Sequence, residues 1–170
     1  MDLELQGKII IVSGGARGIG EGITSVLAAE GALPIIIGRS EEDNIAMVKA
    51  IQQKGLKADQ VVAELTNPKE CENAINKIIE KFGRIDGLVN NAGENDSIGL
   101  ENGNYELFMQ SMHKNLVHYY LLAHHALPYL KKSKGNIVTS IQKQQKQGKE
   151  VLLPMPQPMA DAMHLLENGQ

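Results

Sequence analysis

Two hydrophobic patterns alternate along this chain up to Val138. Short apolar runs rich in β-branched residues are typical of strands buried on both faces of a parallel sheet. Stretches with apolar residues every three or four positions lie between these runs and predict amphipathic helices. The alternation predicts an α/β fold with a doubly wound parallel sheet and right-handed crossovers. The predicted strands are 8–12, 33–37, 58–65, 87–89 and a fifth that begins at Ile137.

Four helices are predicted between the strands. The first begins near Gly18, Ser40 caps the second, and the third opens at Asn67-Pro68, a favourable cap followed by proline in the first turn. The fourth and longest covers 110–130. The residues expected to face the core are Ile19, Ile23, Val26 and Leu27, then Ile45, Val48 and Ile51, then Cys71, Ala74, Ile75, Ile78 and Phe82, and finally Met112, Leu116, Tyr119, Ala123 and Leu127.

A glycine-rich turn, residues 13–20 with the sequence SGGARGIG, joins the first strand to its helix. Gly14 permits a tight turn, Gly18 lets the backbone approach a phosphate, and Gly20 lets the helix pack closely against the strand. The helix N-terminus offers free N–H groups and a favourable dipole to a pyrophosphate. Glycines can serve turn geometry alone, but the strand–turn–helix context favours a dinucleotide site of the Rossmann type.

The pattern changes after Val138. Residues 139–170 pass from a Gln/Lys-rich stretch to a Pro/Met/Gln-rich stretch with no core-forming period. The sequence therefore predicts a partial Rossmann-type NAD(P)-binding domain over 1–138, truncated after strand five, and an aberrant, mostly irregular tail over 139–170. A short helix over 159–166 is the one element expected in that tail.

Composition narrows the class of protein. The chain has 170 residues, a net charge of −3 and a single cysteine, Cys71. This is one domain's length of chain, and the absence of a basic block argues against nucleic acid or an anionic membrane as a partner. The acidic N-terminus, the lack of a long apolar run and the single cysteine together predict a soluble cytoplasmic protein.

A second motif, Asn90-Asn91-Ala92-Gly93, follows the fourth strand, and Asn115 lies in the long helix. Alone, the motif could be a strand-end turn, and Asn115 a surface residue. Together with the Gly-x-x-x-Gly-x-Gly spacing of the glycine turn, they resemble the short-chain dehydrogenase/reductase family. In that family an asparagine at the place of Asn115 belongs to the active site, where it holds a water that links the catalytic lysine to solvent. The resemblance implies cofactor-binding roles for Gly14, Arg17, Gly18, Ile19, Gly20, Arg39, Asn91, Ala92 and Gly93.

The likeness is greater still to sugar-oxidising members of the family, the L-fucose dehydrogenase-like group. It covers essentially residues 1–138 and implies a small-molecule sugar substrate and, for intact members, a homo-oligomer. Asn95 and Asp96 either hydrogen-bond sugar hydroxyls or only shape the loop after strand four. The stretches that carry the likeness are 86–93, 95–96, 98–100, 115–120 and 123–124.

The choice of cofactor depends on the end of the second strand. Where an acid would hold the adenosine ribose hydroxyls, this chain has Gly38-Arg39. Arg17 and Arg39 could clamp a 2′-phosphate, because guanidinium pairs with phosphate in a fork, or they could be two solvated surface arginines. The missing acid favours NADP, with NAD as the alternative.

The long helix also carries a cluster of histidines. His118 and His125 are seven residues apart and could share a face. No cysteine or carboxylate lies at ligand spacing among the cluster, so we expect no metal site there. Packing, or the mouth of a substrate site, is the expected role of these residues. The members are His113, His118, His124 and His125.

The main catalytic residues implied by the resemblance are absent. The family has a serine after strand five and then a Tyr-x-x-x-Lys, in which tyrosine transfers the proton and lysine lowers its pKa. All four tyrosines of this chain precede the fifth strand. Tyr129 has Lys132 at the wrong spacing, whereas Ser140 lies near the expected serine position. Asn115 is the one catalytic residue that the resemblance places.

The genetic code suggests a reason for this absence. When codons after Val138 are read one base earlier, as if one nucleotide had been lost, they permit a segment like the family's active site. An alanine forced by Met155-Pro156 and a glycine forced by Met159-Ala160 fall where the family has them. We therefore hypothesise a one-base deletion near codon 139. Even in the restored frame, the lysine position would not encode lysine.

Two functions are open at this point. The first is an NAD(P)-dependent oxidoreductase that oxidises a sugar hydroxyl of an L-fucose-like aldose, with this chain inactive because the Tyr-x-x-x-Lys segment is missing. The second is a non-catalytic, truncated nucleotide-binding module. A homo-oligomer is doubtful for this chain, because the long helix would lose a neighbour that joins it in the family's subunit interface.

Overall fold

The computed structural model describes residues 3–94 and 96–140, and the tail expected to be irregular lies almost wholly outside them. Within the described residues, five parallel strands form one sheet in the order β3-β2-β1-β4-β5. This confirms the α/β, doubly wound, Rossmann-type prediction. The strands are β1 (Ile9–Ser13), β2 (Leu33–Gly38), β3 (Asp59–Val62), β4 (Gly87–Asn90) and β5 (Asn136–Thr139).

Helices connect the strands as crossovers, and three of them, α2, α3 and α4, begin at a residue whose side chain caps the helix. Ser40 and Asn67 cap α2 and α3 with their side chains, as the sequence predicts, and Gly83 ends α3 in the left-handed conformation. No helix in the described ranges is both long and apolar enough to span a membrane. The helices are α1 (Gly18–Ala29), α2 (Glu41–Gln52), α3 (Pro68–Phe82), α4 (Tyr105–Met112) and α5 (His118–Ser133), with a π-turn (His113–Val117) between the last two.

The core lies on both faces of the central strands. Every residue of β1 is buried, because β2 and β4 flank it and helices cover both faces. β2 is equally apolar, and Ile35, Ile36 and Ile37 are fully buried. The α3 prediction is confirmed, since Cys71, Ala74, Ile75 and Ile78 all face the core.

The predicted buried face of α1 is partly wrong. Ile19 and Val26 are 52% and 59% exposed, whereas Gly20, Thr24 and Ala28 are buried. These three small residues, four apart, form a stripe that lets the helix approach the sheet closely, so bulky side chains are displaced from it. In α2 the same correction applies: Ile45 is exposed, while Met47 and Ile51 fill the core.

The long helix differs from its predicted form in two ways. It begins at Tyr105, capped by Asn104, five residues before the predicted start at 110. A π-turn then shifts the buried face by one position: Leu116 is buried as predicted, but Tyr119, Ala123 and Leu127 are only half-buried. The residues that fill the core from α5 are His118, Leu122, Ala126 and Leu130.

Candidate functional site: a cavity at the carboxyl ends of the strands

A cavity of about 610 Å³ lies beyond the carboxyl ends of β1, β2 and β4. The chain turns to opposite sides of the sheet at β1, so the crevice is at the topological switch point where doubly wound folds bind ligands. Its volume is within the range of small-molecule and cofactor sites. The glycine turn, the end of β2, the segment after β3 and the segment after β4 each contribute to its wall.

The glycine turn needs its three predicted glycines for different reasons. Gly14 and Gly18 have positive φ, +64° and +56°, which disfavours other residues. A Cβ on Gly14 would lie 2.9 Å from Ala92 Cα, whereas a Cβ on Gly18 would meet nothing within 4 Å. Gly18 therefore borders open cavity, as expected of a backbone that a phosphate approaches.

Gly20 has a somewhat different role from the predicted one. A Cβ there would overlap the Gly14 carbonyl oxygen and come within 2.6 Å of Asn91 Nδ2. Its missing side chain thus lets α1 pack against the turn itself and against the segment after β4, rather than against β1 alone. Gly20 joins the two motifs that the sequence identifies separately.

The first turn of α1 faces the cavity with backbone N–H groups that have no partner within the helix. Arg17 is the N-cap residue, has extended backbone torsions and makes no capping hydrogen bond with its side chain. Since the first N–H groups of any helix have no partner within the helix, they remain available here to a bound anion. The cavity is lined by Arg17, Gly18 and Ile19. Ile19 is therefore exposed because it borders the cavity rather than the core.

Ser13 fixes the segment after β4 to the end of β1. Its Oγ accepts hydrogen bonds from the N–H groups of Asn91 and Ala92, at 2.9 and 3.0 Å. Asn91 Nδ2 in turn donates to the carbonyl oxygens of Ser13 and Gly14. Sequence reasoning assigned no role to Ser13, although its place between a buried strand and the first glycine is the available signal.

Asn115 lies in the π-turn and holds the segment after β4 from the other side. Its Oδ1 accepts the Glu94 N–H at 2.8 Å, while its Nδ2 donates to the Ser111 carbonyl at 3.2 Å. A Cβ on Gly93 would lie 2.9 Å from this Oδ1, so glycine is needed there for the contact. Asn115 is therefore no ordinary surface residue, and π-turns of this kind recur at functional sites.

Tyr119, which sequence reasoning placed in the core without a role, supports the cavity wall from behind. Its hydroxyl donates to the Ala92 carbonyl oxygen at 2.8 Å, and its ring packs edge-on against His118. Burial raises the pKa of the Tyr119 hydroxyl, so it stays a donor. The Asn-Asn-Ala-Gly segment is thus held by Ser13, Asn115 and Tyr119 together.

The charged residues around the cavity occur in opposed pairs. Arg17 contacts Asp43 at 2.6 Å, and Arg39 contacts Glu94 at 3.3 Å. The other oxygen of Glu94 contacts Lys114 at 3.0 Å. The two arginines are therefore brought to the same cavity, as the 2′-phosphate hypothesis requires, but each already has a carboxylate partner.

The predicted sugar-binding residues are placed only in part. Asn95 lies outside the described residues. Asp96 is half-buried, does not line the cavity, and accepts the Ile98 N–H through Oδ1 at 3.4 Å. Its Oδ2 is buried without a hydrogen-bond partner among the described residues. The observed contact of Asp96 is the loop-shaping one.

The histidine cluster separates into different environments. His118 is buried at the floor of the cavity, where its Nε2 donates to the Lys114 carbonyl at 2.9 Å, and burial lowers its pKa. His113 is exposed on the π-turn. His124 stacks on Tyr120 at the surface. Over the described ranges, no three histidine, cysteine or acidic residues are placed to hold a metal ion together.

None of the described residues that line the cavity is a tyrosine. Tyr129 packs against the core and does not line the cavity. Ser140 ends the described chain, and its N–H donates to the Asn90 carbonyl at 2.8 Å. It follows β5 directly, as a serine in the predicted position should, although the residues after it lie outside the described part.

Three curated relatives show what this chain is similar to. L-fucose dehydrogenase of Rattus norvegicus is 33% identical over 133 residues, which are 78% of this chain and 48% of the relative. L-fucose dehydrogenase of Bos taurus is 32% identical over 139 residues, which are 81% of this chain and 50% of the relative. A 3-oxoacyl-acyl-carrier-protein reductase of Thermotoga maritima is 30% identical, with coverages of 82% and 56%. The chain spans about half the length of these relatives.

Solved structures and a family model agree with these relatives. The crystal structure of Cj0485 dehydrogenase superposes with a TM-score of 0.74 at 37% identity, covering 82% of this chain and 53% of that one. An NADH-dependent reductase complexed with NAD gives a TM-score of 0.73 at 25% identity, with coverages of 82% and 61%. The family model described as short chain dehydrogenase matches residues 8–151. This protein therefore belongs to the short-chain dehydrogenase family.

Proposed function

We propose that this chain carries the nucleotide-binding half of an NAD(P)-dependent oxidoreductase that acts on a sugar hydroxyl. The observation that carries the proposal is the cavity of about 610 Å³ at the switch point, bordered by Gly18 and the uncapped first turn of α1. The open space beside Gly18 and the free N–H groups suit a pyrophosphate. When bound, the nicotinamide would exchange a hydride with the substrate carbon.

NADP is the proposed cofactor, with NAD as the alternative. Arg39 follows β2 where an acid would bind the ribose hydroxyls of NAD, and both Arg17 and Arg39 line the cavity. Their guanidinium groups can form paired hydrogen bonds with a 2′-phosphate. Asp43 and Glu94 oppose this preference, since each holds one arginine, so we expect the preference for NADP to be modest.

An L-fucose-like aldose is the proposed substrate class. Its support is the likeness to L-fucose dehydrogenases, which act on L-fucose by name. Of the two residues proposed to bind the sugar, Asp96 has one buried carboxylate oxygen without a described partner. The burial of this oxygen and its place outside the cavity wall count against direct contact with a sugar, so the likeness alone carries this part of the proposal.

We expect the 170-residue chain to bind nucleotide without turning over substrate. Proton exchange with the substrate oxygen needs an acid/base group within hydrogen-bond reach, and no described residue lining the cavity is a tyrosine. This observation also favours the second candidate function, a non-catalytic nucleotide-binding module. A cytoplasmic location and doubtful oligomerisation remain predictions alongside it.

Isothermal titration calorimetry with NADPH and NADH tests the binding proposal. It compares two variants, each of which replaces a glycine of α1 with aspartate. Gly18→Asp places a carboxylate in the open space beside the first turn of α1, where it repels a pyrophosphate. We expect it to weaken binding on the order of 100-fold or more. Gly22→Asp adds the same charge further along α1, outside the cavity wall and without the positive φ of Gly18, and should leave the affinity within about threefold. Equal affinities for both variants would rule out this site.

Turnover is tested by assaying the pure chain with L-fucose and NADP or NAD. The expected result is nucleotide binding without reduction.

Resequencing codons 135–145 from an independent template then separates the two readings of the missing segment. An additional base would restore an active-site-like sequence, whereas the unchanged sequence would favour the non-catalytic module. Clear dehydrogenase activity of the 170-residue chain would contradict the inactivity proposal.

A further inference from the structure

We propose that Glu94 is an internal competitor for the cofactor's 2′-phosphate and thereby sets the choice between phosphorylated and unphosphorylated adenosine nucleotides. The inference rests on the proposed function, because it assumes that a nucleotide enters the cavity. It concerns a residue that neither the glycine turn nor the Asn-Asn-Ala-Gly motif includes. Glu94 follows that motif directly and lines the cavity.

The Glu94 carboxylate bridges two cations that come from separate parts of the chain. One oxygen lies 3.3 Å from Arg39 Nη2, just after β2, and the other lies 3.0 Å from Lys114 Nζ, in the π-turn. All three residues line the cavity. The carboxylate therefore occupies the place between the two cations where a second anion would otherwise bind.

The backbone of Glu94 is fixed, so its carboxylate is held near these cations. Asn115 Oδ1 accepts the Glu94 N–H at 2.8 Å, and Gly93 before it makes room for that contact. The competitor is thus attached to the same asparagine that the family resemblance assigns to the active site. This hydrogen bond fixes the backbone of Glu94 beside the two cations, while the side chains of Glu94 and Arg39 stay 41% and 70% exposed.

The positively and negatively charged side chains that line the cavity are equal in number. Arg17, Arg39 and Lys114 face Asp43, Glu64 and Glu94 there, so the ordinary charges of the six side chains cancel. Arg17 already contacts Asp43 at 2.6 Å. A 2′-phosphate, which carries up to two negative charges, can gain Arg39 only by displacing Glu94, or by adding charge beside it.

Glu94 remains charged under the conditions in which nucleotides bind. Lys114 and Arg39 hold its pKa below the usual range for glutamate. The carboxylate is therefore ionised at neutral and mildly acidic pH, and competition persists there. Removing only its charge should release Arg39 and Lys114 together while leaving the backbone contact to Asn115 in place.

The test measures two probe nucleotides, 5′-ADP and 2′,5′-ADP, on the full chain by isothermal calorimetry. Glu94→Gln keeps the size and the backbone N–H of the residue and removes its charge. We expect this variant to prefer 2′,5′-ADP over 5′-ADP about tenfold more strongly than the unchanged chain does. Its preference should also decrease more steeply as the salt concentration rises. Glu80→Gln removes an exposed charge from α3, away from the cavity, and controls for net charge.

A double variant tells whether the gain acts through Arg39. In the Arg39→Gln background, Glu94→Gln should no longer raise the preference, because the released cation is gone. If 5′-ADP binds and Glu94→Gln leaves the ratio unchanged, or shifts it no more than Glu80→Gln does, the competition proposal is wrong and the proposed function stands. If neither probe binds to any variant, both proposals are wrong.

Discussion

Strands β1 and β5 belong to the same sheet yet lie in opposite environments. β1 has a neighbour on each side, and all five of its residues are buried. Among the described residues, β5 pairs only with β4, its residues alternate between exposed and half-buried, and Val138 is 56% exposed. Within the described residues, β1 at the centre of the sheet is fully packed, whereas β5 forms an open edge, as β3 does on the nucleotide side.

Among the helices, the contrast is between α4 and the others. α1, α2, α3 and α5 each bury at least three residues. None of the residues of α4 is buried, and it leaves Tyr105, Phe108 and Met109 exposed. Exposed apolar groups of this kind are typical of surfaces that another element or chain covers. The cavity can therefore be formed by the described residues while the surface of α4 stays exposed among them.

The largest expected effect tests the two strands directly. Ile11→Ala removes a fully buried side chain from β1, and such truncations cost about 2–5 kcal/mol of unfolding free energy. Val138→Ala removes an exposed side chain from β5 and should change it by less than about 0.5 kcal/mol. Urea denaturation followed by circular dichroism measures both. Similar losses for the two variants would mean that β5 is covered in solution.

The next effect concerns two glycines on one helix. Gly20→Ala forces a Cβ against the Gly14 carbonyl and Asn91, so we expect a loss of about 1–3 kcal/mol and weaker nucleotide binding. Gly22→Ala meets nothing within 4 Å and should stabilise the chain by about 0.5–1 kcal/mol, since alanine favours a helix. Thermal melts and calorimetry distinguish the two. Stabilisation by both changes would contradict the observed close approach of α1.

The two sides also differ in how much of them the sequence predicts. The central strands follow from apolar runs, and the face of α3 follows from a regular helical period that packs against the sheet and α5. The start of α4 could not be found from an apolar period, because Tyr105 to Met112 bury nothing. The face of α5 could not be predicted either, since the π-turn adds an offset that a regular period of 3.6 residues does not contain.

The site was predictable at its backbone and less so at its side chains. Glycine spacing identifies the turn, and Asn91, Ala92 and Gly93 do lie opposite it. Pairings such as Arg39 with Glu94, or Tyr119 with the Ala92 carbonyl, join residues far apart in the sequence. Nothing local marks such pairs, so they become visible only when the strands have been placed in order.

A smaller effect on stability and binding is expected for one of two adjacent tyrosines in α5, Tyr119 and Tyr120. Tyr119→Phe removes the hydroxyl that donates to Ala92 and leaves that carbonyl unpaired, at a cost of about 1 kcal/mol. Nucleotide binding should weaken severalfold, because Ala92 lines the cavity. Tyr120→Phe changes an exposed residue and should be neutral. Denaturant midpoints and calorimetry provide the comparison, and equal effects would show that the Ala92 contact has no energetic role.

The smallest expected effect is a pH dependence that arises from His118. Burial lowers the pKa of His118 in the folded chain, so on acidification the unfolded chain takes up this proton first. Stability should therefore be fully present above the ordinary histidine pKa of about 6.5 and decline as pH falls below it, until the folded chain is protonated too. Asp43, Glu64 and Glu94, whose pKa values are lowered, add a similar decline only at more acidic pH.

A pair of histidine variants isolates this contribution. His118→Phe keeps an aromatic ring against Tyr119 but cannot titrate, so its unfolding free energy should vary less than that of the unchanged chain between about pH 7 and 5.5. It also loses the hydrogen bond to the Lys114 carbonyl, which lowers stability at every pH without adding a slope. His113→Phe, on the exposed π-turn, should keep the slope of the unchanged chain. If both variants keep that slope, His118 is not the buried histidine that responds to pH, and the cavity floor must be open to solvent like the β5 side.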